Sequence, residues 1–382
     1  MNAVFKILLT KRMKRFARSG RGLYYKITDS VGEMVFYILQ NIKLLPAVVD
    51  FEKKVIKKIL IIRIDRIGDL VLSTPAVRAV RETFPEAQIH LLITEYTRDL
   101  VINNPNINKL LVYGRDKIAK DYNLAIVLHP GFRVNLIAFV SGASYRVGYS
   151  GWGGGFFLTH KIIDDRSVRV RHEIVSALEV AARIGCFTGN KNPEVSVTEE
   201  GERFADGFFQ KNQLGEKDLI IILHCGAQQR YVRWKKERFA ELADRLTKEK
   251  KARVILTASK KEEQLVTEVA SLMKEKPLFA LGYKLTCLVS IIKRSKLFVG
   301  NANGPMHIAA ALKIPVVTIF GVVNALDCSG TWGPWGEGHI VICKNLPCPD
   351  CHPSDCNTLD CMNLVTVGDV LEAVDRQLYR RR

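Results

Sequence analysis

No apolar run in this chain approaches the ~18–20 residues needed to cross a bilayer. Residues 34–42 near the amino end give nine residues without a charge, and Gln40 and Asn41 interrupt them. A secretory leader, with a basic start, an apolar stretch and a small-residue cleavage site, is not recognisable either, so a cytoplasmic protein is expected. The phosphate-binding pattern GxxxxGK followed by Ser or Thr is missing. The run Gly151-Trp152-Gly153-Gly154-Gly155 follows no convincing strand and reads as a flexible loop near a cleft. Kinase and dehydrogenase readings thereby lose their main support. Low-complexity sequence is scarce too, and 47% hydrophobic with 25% charged residues describes a soluble globular protein rather than a disordered or fibrous one.

Acidic residues are in short supply, 39 against 57 Lys and Arg, for a net charge of +18. Residues 1–58 hold 13 Lys and Arg and only 4 Asp and Glu, so half of the excess lies in under a sixth of the chain. That tail interleaves Phe5, Ile7, Leu8, Leu9, Met13 and Phe16 with Lys11, Arg12, Lys14, Arg15 and Arg18. Such a segment suits an anionic membrane surface. A solvated basic arm, or a helix packed on the body, is the alternative. The +18 charge is also the one feature that favours nucleic acid. Because it gathers in the tail and no nucleic-acid module is recognisable, no nucleic-acid partner is expected.

At 382 residues the chain exceeds the size at which one core usually stays single, which predicts two domains. Residues 58–64 (KILIIRI) form a continuous apolar run suited to a strand covered on both faces, followed by a helical pattern from Leu70 to Phe84. Strands follow at Ile89–Ile93, Lys109–Val112 and Leu124–Leu128, alternating with helical stretches. After Pro193 and a helix near Glu199–Asn212 the same grammar restarts at Leu219–Leu223 (LIIIL). It continues with a helix at Phe239–Lys250, a strand at Arg253–Leu256, a helix at Lys261–Met273, a strand at Leu297–Val299, a helix at Met306–Leu312 and a strand at Val316–Phe320. The fold class is therefore α/β, with two Rossmann-like doubly wound halves whose carboxyl-end loops face a common cleft. A last helix, Thr366–Arg380, is expected to pack back across the first domain.

Three stretches carry candidate chemistry. In RIDRIGDLVLSTPAVRAV (63–80) Gly68 permits a tight strand-to-helix turn, and Asp69 takes the positive end of the following helix. An ionised carboxylate there can accept the proton of an attacking sugar hydroxyl when proton transfer is late. A plain helix cap is its commoner role. In FVGNANGPMHIAAALKIPVVTIFG (298–321) a small-residue loop precedes a helix that starts at Gly304-Pro305, with proline where its missing N–H costs nothing. Free amides at such a start bind phosphate, which makes Asn301, Asn303, Gly304, Pro305, Met306 and His307 candidates; an ordinary capped helix is the bland reading. In LIIILHCGAQQRYVRWKKERFAEL (219–242) the loop offers Gly226, Gln228, Arg230 and Arg233, and cations there could offset a departing diphosphate without a metal.

In their order and spacing these stretches resemble glycosyltransferase family 9, the heptosyltransferases of the lipopolysaccharide inner core. The likeness runs from Lys57 to Val374 and includes the IGD…STPAVRAV, DYNLAIVLHP…GASYRVGY, RW…ERFAEL and GN-x-x-GPMHIAAAL elements. It implies a GT-B fold and inverting transfer from a nucleotide-diphosphate sugar, usually ADP-heptose, to a lipid-linked or phosphorylated glycan, with no required metal. It also implies Asp69 as base, Gly304 and its neighbours as diphosphate site, and Glu262 as the acidic residue that holds the nucleotide ribose. Expected domains are a basic extension (1–56), an acceptor domain (57–205), a donor domain (206–345) and a Cys-rich segment with the last helix (346–382). The enzyme would work in the cytoplasm, on the inner face of the cell membrane. Two departures fall in the donor half: Ala302-Asn303 stands where the family commonly has Asp-Ser or Asp-Thr, and Val232 stands where it usually has lysine, with Arg233 beside it as a substitute. They motivate an alternative, a non-catalytic nucleotide-sugar or glycan-binding relative. Arg133, Arg146, Arg166, Arg169 and Arg171 are candidates to meet an anionic acceptor, or else form a solvated face. The spacing of Cys348, Cys351, Cys356 and Cys361 suits either a structural zinc site or reduced thiols.

Overall fold

The computed structural model describes residues 20–42, 44, 51–321, 328–344, 346 and 356–379. The chain divides into two compact units, one of residues 1–65, 73–98 and 105–191, the other of 66–72, 99–104 and 192–382. Each carries one six-stranded parallel sheet.

In the first unit the strands are β1 (Lys58–Ile62), β2 (Gln88–Ile93), β3 (Lys109–Val112), β4 (Leu124–Val127), β5 (Tyr145–Ser150) and β6 (His160–Ile163), ordered β3-β2-β1-β4-β5-β6. The order reverses between β1 and β4, which pair from Ile59 with Leu124 to Ile62 with Val127. Ile59 to Ile62 and Leu124 to Val127 are fully buried, as strands covered on both faces require. The helix Ile67–Thr83 follows β1 and holds Pro75 in its interior, where one ladder hydrogen bond is necessarily missing. At the carboxyl ends of β1 and β4 a buried ion network replaces the apolar core. Arg63 donates to the Leu128 carbonyl and to Glu173 Oε1, the latter at 2.8 Å. It also pairs with Asp65, which His129 Nδ1 approaches to 3.0 Å.

The glycine run 151–155 corrects the sequence reading: it does follow a strand, β5, and it is anchored. Asp29 of the helix Gly20–Asn41 accepts from the Gly155 N–H at 2.8 Å and the Gly153 N–H at 3.3 Å. Positive φ at Gly151, Gly153 and Gly154 explains the glycines. The strand escaped notice because YRVGYS alternates aromatic, charged and small residues instead of forming an apolar run.

The second unit repeats the topology. Its strands are β7 (Ile220–His224), β8 (Arg253–Ala258), β9 (Leu278–Leu281), β10 (Leu297–Asn301), β11 (Val316–Phe320) and β12 (Ile340–Cys343), ordered β12-β11-β10-β7-β8-β9. The reversal lies between β7 and β10, paired from Ile221 with Leu297 to His224 with Gly300. Helices Glu199–Lys211 and Leu285–Lys293 pack on one another, and Lys236–Lys250 packs on Glu263–Leu272. The last helix, Val367–Tyr379, does not cross to the first unit as expected. Its Val367, Val370, Leu371 and Val374 join a core with Phe239, Leu242 and Leu246, and Asp375 pairs with Lys250 at 2.6 Å. Its apolar stripe is satisfied inside the second unit, so no longer reach is needed. No described helix is long and apolar enough to cross a membrane.

Candidate functional site

Ligands of open parallel sheets bind outside the strand ends where the strand order reverses. In the second unit those ends are His224, closing β7, and Asn301, closing β10. The loops that leave them are tied together by two asparagines. Asn301 is fully buried; its Oδ1 accepts from the Trp234 N–H at 3.0 Å, and its Nδ2 donates to the Cys225 carbonyl at 2.7 Å. Both ends of that amide are thus engaged within the protein, and Asn301 acts by holding the loop rather than by presenting its side chain. Asn303 Nδ2 donates to the Gly226 carbonyl at 2.9 Å, while its Oδ1 caps the Met306 N–H at 3.0 Å.

The helix Gly304–Ala311 starts on that cap, with Pro305 in its first turn and Met306 and His307 buried. Of its first three residues Pro305 carries no N–H and Met306 donates to Asn303, which leaves the Gly304 N–H at the helix start. Asn303 caps without a charge, so the positive end of the helix dipole is not neutralised. A polar anion is favoured there. The segment 66–72, which belongs to the same unit, packs on this start. A Cβ built on Gly304 would lie 2.7 Å from Ile67 Cβ, and one built on Gly68 would lie 2.7 Å from His307 Cδ2. Both glycines are close-approach positions. Asp69, half-buried, is the third residue of the helix Ile67–Thr83. The two motifs that surround Gly68 and Gly304 are therefore neighbours, 236 positions apart in the chain.

Glu262 sits above Gly226: its carboxylate oxygens would be 2.5 and 2.7 Å from a Cβ placed there. Its Oε2 also accepts from Ser259 Oγ at 2.6 Å and from the Ser259 N–H at 3.3 Å, a capping box. Arg233 donates from Nε to the Ala227 carbonyl at 2.6 Å and from Nη2 to the Gln228 carbonyl at 3.4 Å, which staples its own loop. Gln228 is exposed. Arg230, Arg233 and Lys235 line a cavity of about 260 Å³ with Thr358, Leu359, Met362 and Asn363. Three cations around one cavity favour an anionic occupant. Beneath the loop His224 bonds Thr257 Oγ1 at 2.8 Å, and complete burial drives its pKa down to about 4, against a smaller opposing pull from Glu262. The imidazole is neutral at pH 7. Burial likewise pushes the Cys225 thiol upward, so it is not a thiolate nucleophile.

The five arginines considered for the acceptor divide into two groups. Arg146 is spent internally: it donates from Nε to the Phe157 carbonyl at 2.6 Å and lies over the Phe139 ring, and burial lowers its pKa to about 10. Arg166 pairs with Asp164 at 2.8 Å and Glu173 at 3.4 Å, and Arg171 with Asp165 at 2.5 Å and Glu179 at 3.0 Å. Arg133 and Arg169 are exposed. Of the cysteine cluster, Cys348 and Cys351 lie outside the described residues, and among the described residues no group of three metal-ligating side chains occurs. Sequence reasoning missed Trp234 and Ile67. Trp234 locks the loop through its backbone to Asn301 and through Nε1 to the Val365 carbonyl at 2.9 Å. The signal available was an aromatic residue within a basic loop, which says nothing of partners 67 and 131 positions away.

Comparison with known proteins agrees with this layout. The family model for glycosyltransferase family 9 (heptosyltransferase) matches residues 114–361. Lipopolysaccharide heptosyltransferase 3 of Escherichia coli strain K12 is 25% identical over 341 residues, spanning 81% of this chain and 95% of that one. Among solved structures, a family 9 glycosyl transferase from Veillonella parvula superposes with TM-score 0.72 at 22% identity, over 85% of this chain and 97% of the other. The ADP-heptose lipopolysaccharide heptosyltransferase II of E. coli superposes with TM-score 0.71 at 22% identity, over 85% and 99%. The two Rossmann-like units are the GT-B fold, and the chain belongs to glycosyltransferase family 9, the heptosyltransferase family.

Proposed function

We propose that this enzyme moves heptose from ADP-heptose to a lipopolysaccharide core or related lipid-linked glycan, with inversion at the anomeric carbon. The observation that carries the reading is the second sheet's reversal point, where β10 delivers a helix start capped by neutral Asn303 beside Gly68 and the loop after β7. The Gly304 N–H and the helix dipole hold the diphosphate there. Pro305, Met306 and His307 shape the helix start, and Gly226 and Gln228 line the nucleotide side. Glu262, already fixed by Ser259, offers its remaining acceptor capacity to the ribose. Arg230, Arg233 and Lys235 supply positive charge in place of the lysine that Val232 displaces.

In the transfer, Asp69 accepts the proton of the acceptor hydroxyl as that oxygen bonds to the anomeric carbon. The bond from that carbon to the diphosphate oxygen breaks, and ADP leaves with the electron pair. The developing charge on the leaving diphosphate is stabilised by the helix start and the nearby cations. The reaction needs no metal in this scheme. A lipid-linked acceptor suits an enzyme that works in the cytoplasm, on the inner face of the cell membrane.

Thermal denaturation with ADP, UDP, GDP and CDP tests the donor. ADP at about 100 times its Kd is expected to add about 2.7 kcal/mol of stability, well above the other three. A larger shift with another nucleotide, or none with any, contradicts the assignment.

A further inference from the structure

The helix Gly20–Asn41 shows two different faces. One packs on the first unit. Phe36 meets the rings of Phe139, Phe156 and Phe157 at centroid distances of 5.2 to 5.4 Å, and a Cβ on Gly32 would overlap Phe156. Asp29 binds the Gly153 and Gly155 amides, and Glu33 pairs with Lys161 at 2.7 Å. Ile27, Val31, Met34, Val35, Ile38 and Ile42 are 42–58% exposed, although all six are large and apolar. At 3.6 residues per turn they fall within about 100° of arc, on the side roughly opposite Phe36, Gly32 and Asp29. A contiguous open apolar stripe is uncommon on a protein with nothing to cover it.

The charge of the sequence that leads into the helix selects the occupant of the stripe. Residues 1–28 contain eight Lys and Arg and no Asp or Glu. The first carboxylates, Asp29 and Glu33, are bonded to the body. Two copies joined stripe to stripe would cover the apolar side chains but offer these cationic segments no opposite charge. An anionic bilayer surface complements both properties, since apolar side chains enter the acyl boundary while Lys and Arg meet the headgroups.

We propose that the outward face of the 20–41 helix is a membrane-surface docking site that lies in the plane of an anionic lipid leaflet. This deepens the proposed function and rests on it for its purpose, presentation of a lipid-linked acceptor; the exposed stripe and the basic sequence before it do not depend on that reading. The test is flotation of the full chain with phosphatidylcholine vesicles, with and without phosphatidylglycerol, beside the Val31→Asp/Ile38→Asp variant. The full chain should float with anionic vesicles and far less with neutral ones, and the variant's partition should fall at least about ten-fold. Its melting point and ADP-induced shift without lipid should be those of the parent, so a failure of the donor reading shows up separately. The milder Ile27→Ser/Ile38→Ser pair, expected to lose partition in part, keeps the test open if the acidic pair does not fold. Absence of flotation, or equal flotation of the variants, overturns the proposal. A concentration-dependent dimer that the variants abolish, without flotation, also overturns it and assigns the face to a second copy.

Discussion

At the scale of single residues, two glycines of the site meet neighbours of opposite character. A Cβ on Gly304 would lie 2.7 and 2.8 Å from Cβ and Cγ2 of Ile67, a β-branched side chain with little freedom to yield. Gly304→Ala is therefore expected to cost about 1–3 kcal/mol in urea denaturation and to weaken ADP binding. The three atoms nearest to a Cβ on Gly226 are those of the Glu262 carboxylate, the end of a side chain that can swing aside. Gly226→Ala should then cost no more than the capping bonds to Ser259, about 0.5–2 kcal/mol. A reversed order, with Gly226→Ala the more damaging, would contradict the packing described for the helix start. That Asp69, Gly304 and Glu262 stand on strand–loop–helix joints is legible in the sequence. The clamp made by Asn301 is not, because its partners Cys225 and Trp234 come close only once β7 and β10 pair.

At the scale of elements, β7 ends on an imidazole that burial keeps neutral. The unfolded chain takes up a proton at His224 near pH 6.5, whereas the folded chain resists until about pH 4. The unfolded state thus binds more protons in that window, and stability must fall as pH drops from about 6.5 towards 4 and be fully present above it. His90 and His339, also lowered chiefly by burial, act in the same direction. Urea midpoints measured across this window should decline with acid, and His224→Asn should flatten part of the decline. An unchanged slope in the variant would show that His224 is not the buried neutral group described. The same burial explains which elements the sequence revealed. β1, β4, β7 and β11 are covered on both faces and read as apolar runs. The edge strands β6, β9 and β12 are only half covered: HKII holds just two apolar residues, and LFAL and IVIC are four-residue runs that periodicity alone does not assign. The helix Leu285–Lys293 is buried almost all round, and its face with Thr286 and Ser290 packs on the Glu199–Lys211 helix at Gly201 instead of meeting solvent.

At the scale of the whole molecule, one topology occurs twice, and the two copies are used differently. At the reversal point of the first sheet the strand ends are tied by Arg63, Asp65, His129 and Glu173. At that of the second they open onto small residues, amides and a capped helix start. The repeat was legible because KILIIRI and LIIIL restart the same alternation. The division after Lys191 lies ahead of the Glu199–Lys211 helix because that helix packs on Leu285–Lys293, a pairing no local pattern announces. Asp69 as the proposed acceptor of the sugar hydroxyl's proton is checked by the turnover of ADP-heptose by Asp69→Asn. Its kcat should be lower by about 10²–10⁴ with unchanged melting and ADP affinity. Turnover at the parent rate in a folded, ADP-binding variant would contradict it.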